Sequence, residues 1–151
     1  MQYRFATGDD IELLVSERLK FIDVNENNGD YNLIKDNCYI FFSEALKSHS
    51  CDVILAENDD KCVGTGIIFY YNSVPSAFNA TGKNAYITSM YVEPNYRRNG
   101  IGSTILSKLL EKAGSRGYEI IMLNASELGK PMYQKFGFAD SKNGMILDRR
   151  K

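Results

Sequence analysis

The spacing of apolar and polar positions changes period several times along the chain. Residues 3–7 alternate as a strand does, and residues 8–24 then carry apolar side chains at the three- and four-residue spacing of a helix. The Asn- and Gly-rich stretch 25–32 interrupts that helix, and residues 33–47 have a second apolar helical face. The first third therefore predicts a strand followed by two amphipathic helices.

The middle of the chain reads as strands. Residues 52–59 and 62–71 are short apolar runs on either side of a polar turn, which predicts a hairpin. A loop of residues 72–84 follows, and it is long enough to suggest a binding role. Residues 85–94 are rich in β-branched and aromatic side chains and end at a proline, which predicts a third strand next to the hairpin.

The last third contains the clearest helix, residues 101–117. Its apolar positions recur every four residues, and glycines stand at its end. Residues 118–125 predict a buried strand, residues 127–137 a short helix, and residues 144–148 a final strand. The predicted order of elements is β-α-α-β-β-β-α-β-α-β.

This order predicts the α/β class, with a mixed (α+β) sheet flanked by helices in a single domain over residues 1–151. The three central strands should form an antiparallel meander. The strand at 85–94, the helix at 101–117 and the strand at 118–125 should form a right-handed parallel crossover.

Charge and composition remove several classes of function. The chain has 18 basic and 19 acidic residues and a net charge of −1, which argues against a nucleic-acid partner. No apolar run reaches the roughly 18 residues of a membrane span, and the polar N-terminus does not resemble a signal peptide. Three cysteines without C-x-x-C spacing suggest reduced thiols, and a cytoplasmic location is expected. His49 is the only histidine, so a Ser-His-Asp triad or a multi-histidine metal site is hard to build.

The sequence YRRNGIGSTIL, residues 96–106, carries the clearest chemical signal. Arg97 and Arg98 precede Gly100 and Gly102 at the start of the predicted helix. The first N–H groups of a helix have no partners within it, and glycine lets an anion approach them closely. Arginine adds charge and can bind phosphate in a bidentate manner. The stretch therefore predicts a phosphate-bearing ligand.

Three phosphate motifs compete for this assignment. The Walker A string G-x-x-x-x-G-K-[ST] does not occur. The dinucleotide fingerprint fails because Ile105 stands in the third glycine place and the next predicted strand is followed by Asn124 and Ala125, not by an acidic residue. The pattern R-x-x-G-x-G is met by Arg97, Gly100 and Gly102.

With the flanking MYVEP and PMYQKFGF, residues 87–138 resemble the GNAT superfamily of N-acetyltransferases. The resemblance implies a GNAT-like fold, acetyl-CoA as co-substrate, and acetyl transfer to a primary amine. It implies that two strands splay apart around the thioester, with Asn124 and Ser126 beside the cleft. The residues that it assigns to CoA binding by position are Met90, Tyr91, Val92, Arg97, Arg98, Asn99, Gly100, Ile101, Gly102 and Ser103.

Tyr133 matches the family's tyrosine near the CoA sulfur. A departing thiolate needs a proton, and a phenol with a pKa near 10 can supply it. The alternative is that Tyr133 is a packing aromatic beside Phe136 and Phe138.

The general base is not evident. The strand at 85–92 contains no carboxylate, and Glu93 is interpreted as a solvated charge at the strand end. Glu26 and Asp30 lie where the family usually receives its acceptor, and they are predicted with Ser89 to contact the substrate. No metal is needed, because the thioester is already activated. A small-molecule amine is the preferred acceptor; a protein or peptide amine, a CoA-sensing module without catalysis, and a homodimer all stay open.

Overall fold

The computed structural model describes residues 1–141 and 144–150. Short 3-10 turns at Gly8–Asp10 and Pro94–Tyr96 precede two of the helices. The helices and strands are β1 (Gln2–Phe5), α1 (Ile11–Phe21), α2 (Tyr31–Ser48), β2 (Cys51–Asn58), β3 (Lys61–Asn72), β4 (Lys83–Val92), α3 (Ile101–Ser115), β5 (Ile120–Leu123) and α4 (Lys130–Lys135).

The five strands form one sheet in the order β1-β2-β3-β4-β5. Neighbouring strands are antiparallel from β1 to β4, and β4 and β5 are parallel. Parallel neighbours need a crossover connection, which α3 supplies. The predicted meander, mixed sheet and order of elements up to α4 are confirmed.

Helices cover both faces of the sheet. Ile54 and Ala56 of β2 belong to the core cluster under α3, whereas Val53 and Leu55 belong to the cluster under α1 and α2. All four are at most 1% exposed. Two buried faces explain why β2 reads as a continuous apolar run without alternation.

The predicted final strand at 144–148 is wrong. These residues have no strand structure, and the side chains of Met145, Ile146 and Leu147 are 98%, 94% and 76% exposed. A strand exists through backbone hydrogen bonds to a neighbour, and an apolar run does not provide that neighbour.

Strand β4 changes its pairing near its end. Thr65 of β3 lies opposite Tyr91 and Ile67 opposite Thr88, so Ser89 and Met90 together face the single residue between them. Ser89 has a φ of 52°, as expected for an irregular residue in a bulge. Pairing with β5 stops at Ile87 and Leu123. Beyond that point β4 continues to Val92 without a partner on the β5 side, and the splay of the two strands that the resemblance implies stays a prediction.

Gly66, opposite the bulge, is required by packing. A Cβ atom there would lie 2.5 Å from Cγ2 of Ile105 and 2.8 Å from Sδ of Met90. We expect Gly66→Ala to lower the free energy of unfolding by about 1–2 kcal/mol, because extra volume in a close-packed core forces side chains to move. Denaturant unfolding measures the change. Gly114→Ala in α3 is the control: its Cβ would have no atom within 4 Å, and it should stabilise the protein. Equal effects of the two substitutions would contradict the packing argument.

Candidate active site

The turn before α3 is a ready site for an anion. Gly100 has a φ of 77° and caps the helix, whose first internal bond runs from Thr104 N to the Gly100 carbonyl. The backbone N–H groups of residues 98–103 donate to no acceptor within the described part of the chain. Unpartnered N–H groups at the positive end of a helix dipole bind phosphate groups well.

Arg97 and Asn99 hold this turn in place. Arg97 Nε donates to the Val92 carbonyl at 2.8 Å, and the Asn99 side-chain amide donates to the carbonyls of Tyr96 (3.2 Å) and Arg97 (3.3 Å). Arg97 therefore fastens the turn to the end of β4, which leaves its terminal nitrogens for a ligand. Arg98 is exposed and has a φ of 63°.

Backbone conformation explains the glycine at position 100 but not the glycine at position 102. The positive φ of Gly100 is a conformation that other residues adopt at a cost. Gly102 is helical, and a Cβ there would make only ordinary contacts, 3.5 Å from Sδ of Met132 and 3.9 Å from Cγ2 of Val92. Since glycine in a helix costs roughly 0.5–1 kcal/mol relative to alanine, the fold alone does not account for Gly102. That a ligand approaches the backbone closely at Gly102 stays a prediction, which this open position is consistent with.

The other predicted CoA contacts lie along the same edge. Met90, Tyr91 and Val92 follow the last β4–β5 pair, so they have no partner on the β5 side. Ile101 is 4% exposed and could contribute only its backbone, whereas Ser103 is exposed in the first turn of α3.

Asn124 and Ser126 are exposed just beyond β5. Ser126 Oγ accepts a hydrogen bond from Gly129 N at 3.1 Å, and the Ser126 carbonyl accepts from Gly129 and Lys130 N. Ser126 thus shapes the start of α4. The exposed Asn124 side chain makes no hydrogen bond within the described residues.

Tyr133 packs in the core, as one of the two interpretations requires, and its role as a general acid stays a prediction. Its ring is buried, with 9% of the residue exposed, and packs edge-to-face on Phe138 with centroids 6.0 Å apart. Its hydroxyl makes no hydrogen bond among the described residues, where no fully buried polar side-chain atom lacks a partner. The hydroxyl therefore reaches solvent. Burial raises the pKa of the phenol above its usual value, so Tyr133 keeps its proton at neutral pH.

Glu93 is ion-paired to Lys20 of α1, which also pairs with Glu17 at 3.0 Å. The hydrogen bond from Lys20 lowers the pKa of Glu93. The interpretation as a solvated charge is thus replaced by an ion pair, and the lowered pKa makes Glu93 a poorer proton acceptor.

Ser89 is buried in the bulge of β4, and its Oγ accepts a hydrogen bond from Arg18 Nη1. Sequence reasoning missed Arg18. A usable signal was present, because Arg18 follows Leu14 by four residues and thus falls on the apolar side of α1.

The structure does not bring Glu26 and Asp30 together with Ser89. Glu26 lines an open depression beside Glu12, Ser16 and Leu19 of α1, and Asp30 lines its continuation. The cavity at Ser89 is lined by Leu14, Glu17 and Arg18 of α1. Because a helix turns 100° per residue, these two sets of residues lie on opposite sides of α1. The three residues predicted to contact the acceptor therefore belong to two separate regions.

Comparison with known families matches residues 17–138 to the acetyltransferase (GNAT) family. The chain belongs to the GNAT family. A predicted acetyltransferase from Clostridium acetobutylicum, crystallised with acetyl-CoA, is 34% identical with a TM-score of 0.87; the match covers 97% of this chain and 95% of that one. The predicted family, the N-acetyltransferase class and acetyl-CoA as the co-substrate are confirmed at the level of the family.

The names of two curated relatives include an acceptor. Glucosamine 6-phosphate N-acetyltransferase of Trypanosoma brucei brucei is 35% identical over 63 residues, 42% of this chain and 43% of that protein. Thialysine N-epsilon-acetyltransferase of Sus scrofa is 32% identical over 81 residues, 52% of this chain and 45% of that protein. The chain thus matches less than half the length of either relative.

Membrane-spanning helices and metal-binding clusters are both absent from residues 1–141 and 144–150. No helix there combines the length and apolar character needed to cross a bilayer. The same residues hold no group of three or more His, Cys, Asp or Glu side chains that could bind a metal ion. That catalysis needs no metal stays a prediction, which rests on the reactivity of the thioester.

Proposed function

We propose that this protein is an enzyme that transfers the acetyl group of acetyl-CoA to a primary amine of a small molecule. The observation that carries the proposal is the end of β4–β5 pairing at Ile87 and Leu123, which leaves the last residues of β4 without a β5 partner, next to the turn whose N–H groups at residues 98–103 are unpartnered. The curated relatives are named for small amines, glucosamine 6-phosphate and thialysine, which supports the same class of acceptor here.

Different segments of the chain would bind the cofactor and supply the proton. The N–H groups of residues 98–103 would hold the pyrophosphate, and the free edge of Met90–Val92 would orient the pantetheine arm. Acetyl-CoA supplies an acetyl group that is already activated as a thioester. Met132 of α4 lies against Gly102, and the next residue, Tyr133, belongs to the same core cluster as the end of β4. Tyr133 would hold the proton needed by the departing thiolate.

The cysteines support direct attack by the amine in a ternary complex. An acyl-enzyme route through cysteine needs a thiolate. Burial raises the pKa of Cys51 to about 12 and of Cys62 to about 11, and it also raises the pKa of Cys38. All three are therefore protonated at neutral pH and are poor nucleophiles.

The main competing function is a CoA-sensing domain without catalysis. One observation favours it: β4 contains no carboxylate, and the one that follows it, Glu93, is ion-paired. A protein or peptide amine is the alternative acceptor for an enzyme.

A thiol-release assay separates these functions. With acetyl-CoA and a panel of small amines, amino acids and peptides, we expect release of CoA that depends on a small amine and yields the N-acetyl product by mass spectrometry. The control is acetyl-CoA without an amine. Tight binding of acetyl-CoA with no turnover on any amine would support the sensor, and turnover confined to peptides would contradict the small-molecule acceptor.

A further inference from the structure

Arg18 differs from the other partly buried arginines of this chain. Arg4 pairs with Asp10 at 2.9 Å and with Glu57 at 2.8 Å, and Arg116 pairs with Asp52 at 3.0 Å. Arg18 is half-buried like them, yet no carboxylate of residues 1–141 and 144–150 lies within 4.0 Å of it. Charged side chains removed from water are normally paired, so the missing counter-charge needs an explanation.

Arg18 lies at the bulge of β4. Its Nη1 donates to Ser89 Oγ, and its guanidinium carbon is 5.5 Å from the centre of the Phe21 ring. The cavity beside it, only about 10 Å³ in volume, has the apolar walls of Leu14 and Phe42 together with the hydroxyl groups of Thr65 and Ser89, so a ligand would meet the half-exposed guanidinium from outside the cavity. Apolar walls weaken screening by water and therefore strengthen the attraction of Arg18 for an anion.

The nearby carboxylate does not neutralise Arg18. Glu17 lines the same cavity, but its carboxylate pairs with Lys20 at 3.0 Å. The acidic residues Glu26 and Asp30 lie by the depression on the other side of α1. Nη1 of Arg18 donates to Ser89 Oγ, and the other nitrogens of the guanidinium donate to no acceptor in the described part of the chain. A planar fork of this kind matches the two oxygens of a carboxylate or phosphate.

We infer that the acceptor carries an oxyanion, a carboxylate or a phosphate, in addition to its amine, and that Arg18 binds this group. The inference rests on the proposed acetyl transfer. Ser89 directly precedes Met90, where the free edge of β4 is proposed to hold the acetyl donor, so the oxyanion and the attacking amine belong to one short molecule. Arg18 thereby selects an amine that carries an oxyanion over one that does not.

Matched acceptors test the inference: lysine against 1,5-diaminopentane, and glucosamine 6-phosphate against glucosamine. We expect the wild-type protein to favour the oxyanion-bearing member of at least one pair about tenfold in kcat/KM, and the favoured pair distinguishes carboxylate from phosphate. Arg18→Gln should lower kcat/KM about tenfold for the acceptor that carries the oxyanion and leave its counterpart without the oxyanion unchanged. Arg18→Lys, which keeps the charge without the fork, should retain part of the preference. The dissociation constant of acetyl-CoA, measured by calorimetry, should be the same in all variants.

Lys35→Gln is the control variant, because Lys35 lines the depression on the other side of α1. It should leave the preference intact; loss of the preference in this variant would place the oxyanion in the depression and overturn the inference. Absence of any preference in the wild type, or an equal fall for both members of a pair in Arg18→Gln, would also overturn it. If no amine is turned over, the proposed acetyl transfer is rejected, and that result does not test the role of Arg18. Calorimetric titration of the four amines into the CoA complex of wild type and Arg18→Gln then tests whether Arg18 binds the oxyanion.

Discussion

Tyr133→Phe should lower kcat about 100-fold, within the range that a positioned general acid contributes. The substitution removes one oxygen and keeps the ring that packs on Phe138, so the core is preserved. Burial raises the pKa of Tyr133, and the phenol of the wild-type protein therefore carries its proton at neutral pH. The affinity for acetyl-CoA should barely change. Steady-state thiol release gives kcat, and calorimetry gives the dissociation constant.

Tyr118→Phe is the matched control, since it removes a phenol that stacks on Tyr70 with ring centroids 4.4 Å apart, away from α4. It should leave kcat within about twofold of the wild type, as expected for a residue remote from the chemistry. An unaltered kcat in Tyr133→Phe would remove Tyr133 as the general acid and leave it as a packing residue. A similar fall in both variants would indicate a general effect on the fold.

Replacing Gly102 should weaken acetyl-CoA binding without loss of stability. We expect a side chain at this position to obstruct the approach of the pyrophosphate to the unpartnered N–H groups of residues 98–103. Charge-assisted hydrogen bonds are worth about 1.5–3 kcal/mol each, so losing one raises the dissociation constant by roughly 10- to 100-fold. We expect the lower end of this range for Gly102→Ala and the upper end for Gly102→Leu. Calorimetric titration with acetyl-CoA measures the effect.

Gly114→Ala and Gly114→Leu, in the same helix, control for the change in helix propensity. A Cβ at Gly114 has no atom within 4 Å, so these variants should bind acetyl-CoA like the wild type. Normal affinity in Gly102→Leu would show that the start of α3 does not hold the pyrophosphate. Gly100 is less suitable for this test, because its φ of 77° would add backbone strain to any effect on binding.

The ion pair of Lys20 and Glu93 shows why candidate bases were hard to judge from the sequence. Glu93 follows a strand and precedes a proline, which is typical of a solvated charge. Its partner lies 73 residues away, on α1. No local pattern indicates a contact of that range, although the contact decides the direction in which the pKa of the carboxylate moves.

The sequence by itself determined the features that depend on neighbouring residues. The four-residue spacing of Ile101, Ile105, Leu109 and Ala113 specifies α3, and all four are buried as the pattern requires. The glycine and arginine spacing at residues 97–102, with its flanks, was sufficient to indicate the GNAT family, and it predicts that the turn binds phosphate. Helix periodicity, turn chemistry and helix N-termini are local, so they can be read from consecutive residues.

Tertiary structure alone decided which groups lie close together. It ended β4–β5 pairing at Ile87 and Leu123, joined Arg18 to Ser89 across 71 positions, and placed Glu26 and Asp30 on the other side of α1. It also left residues 144–148 without the strand that their apolar run suggested. The physical reason is the same in each case. Strand pairing and buried polar contacts depend on partners distant in the chain. These contacts form, and contribute to the free energy of folding, only when the sheet and helices pack together.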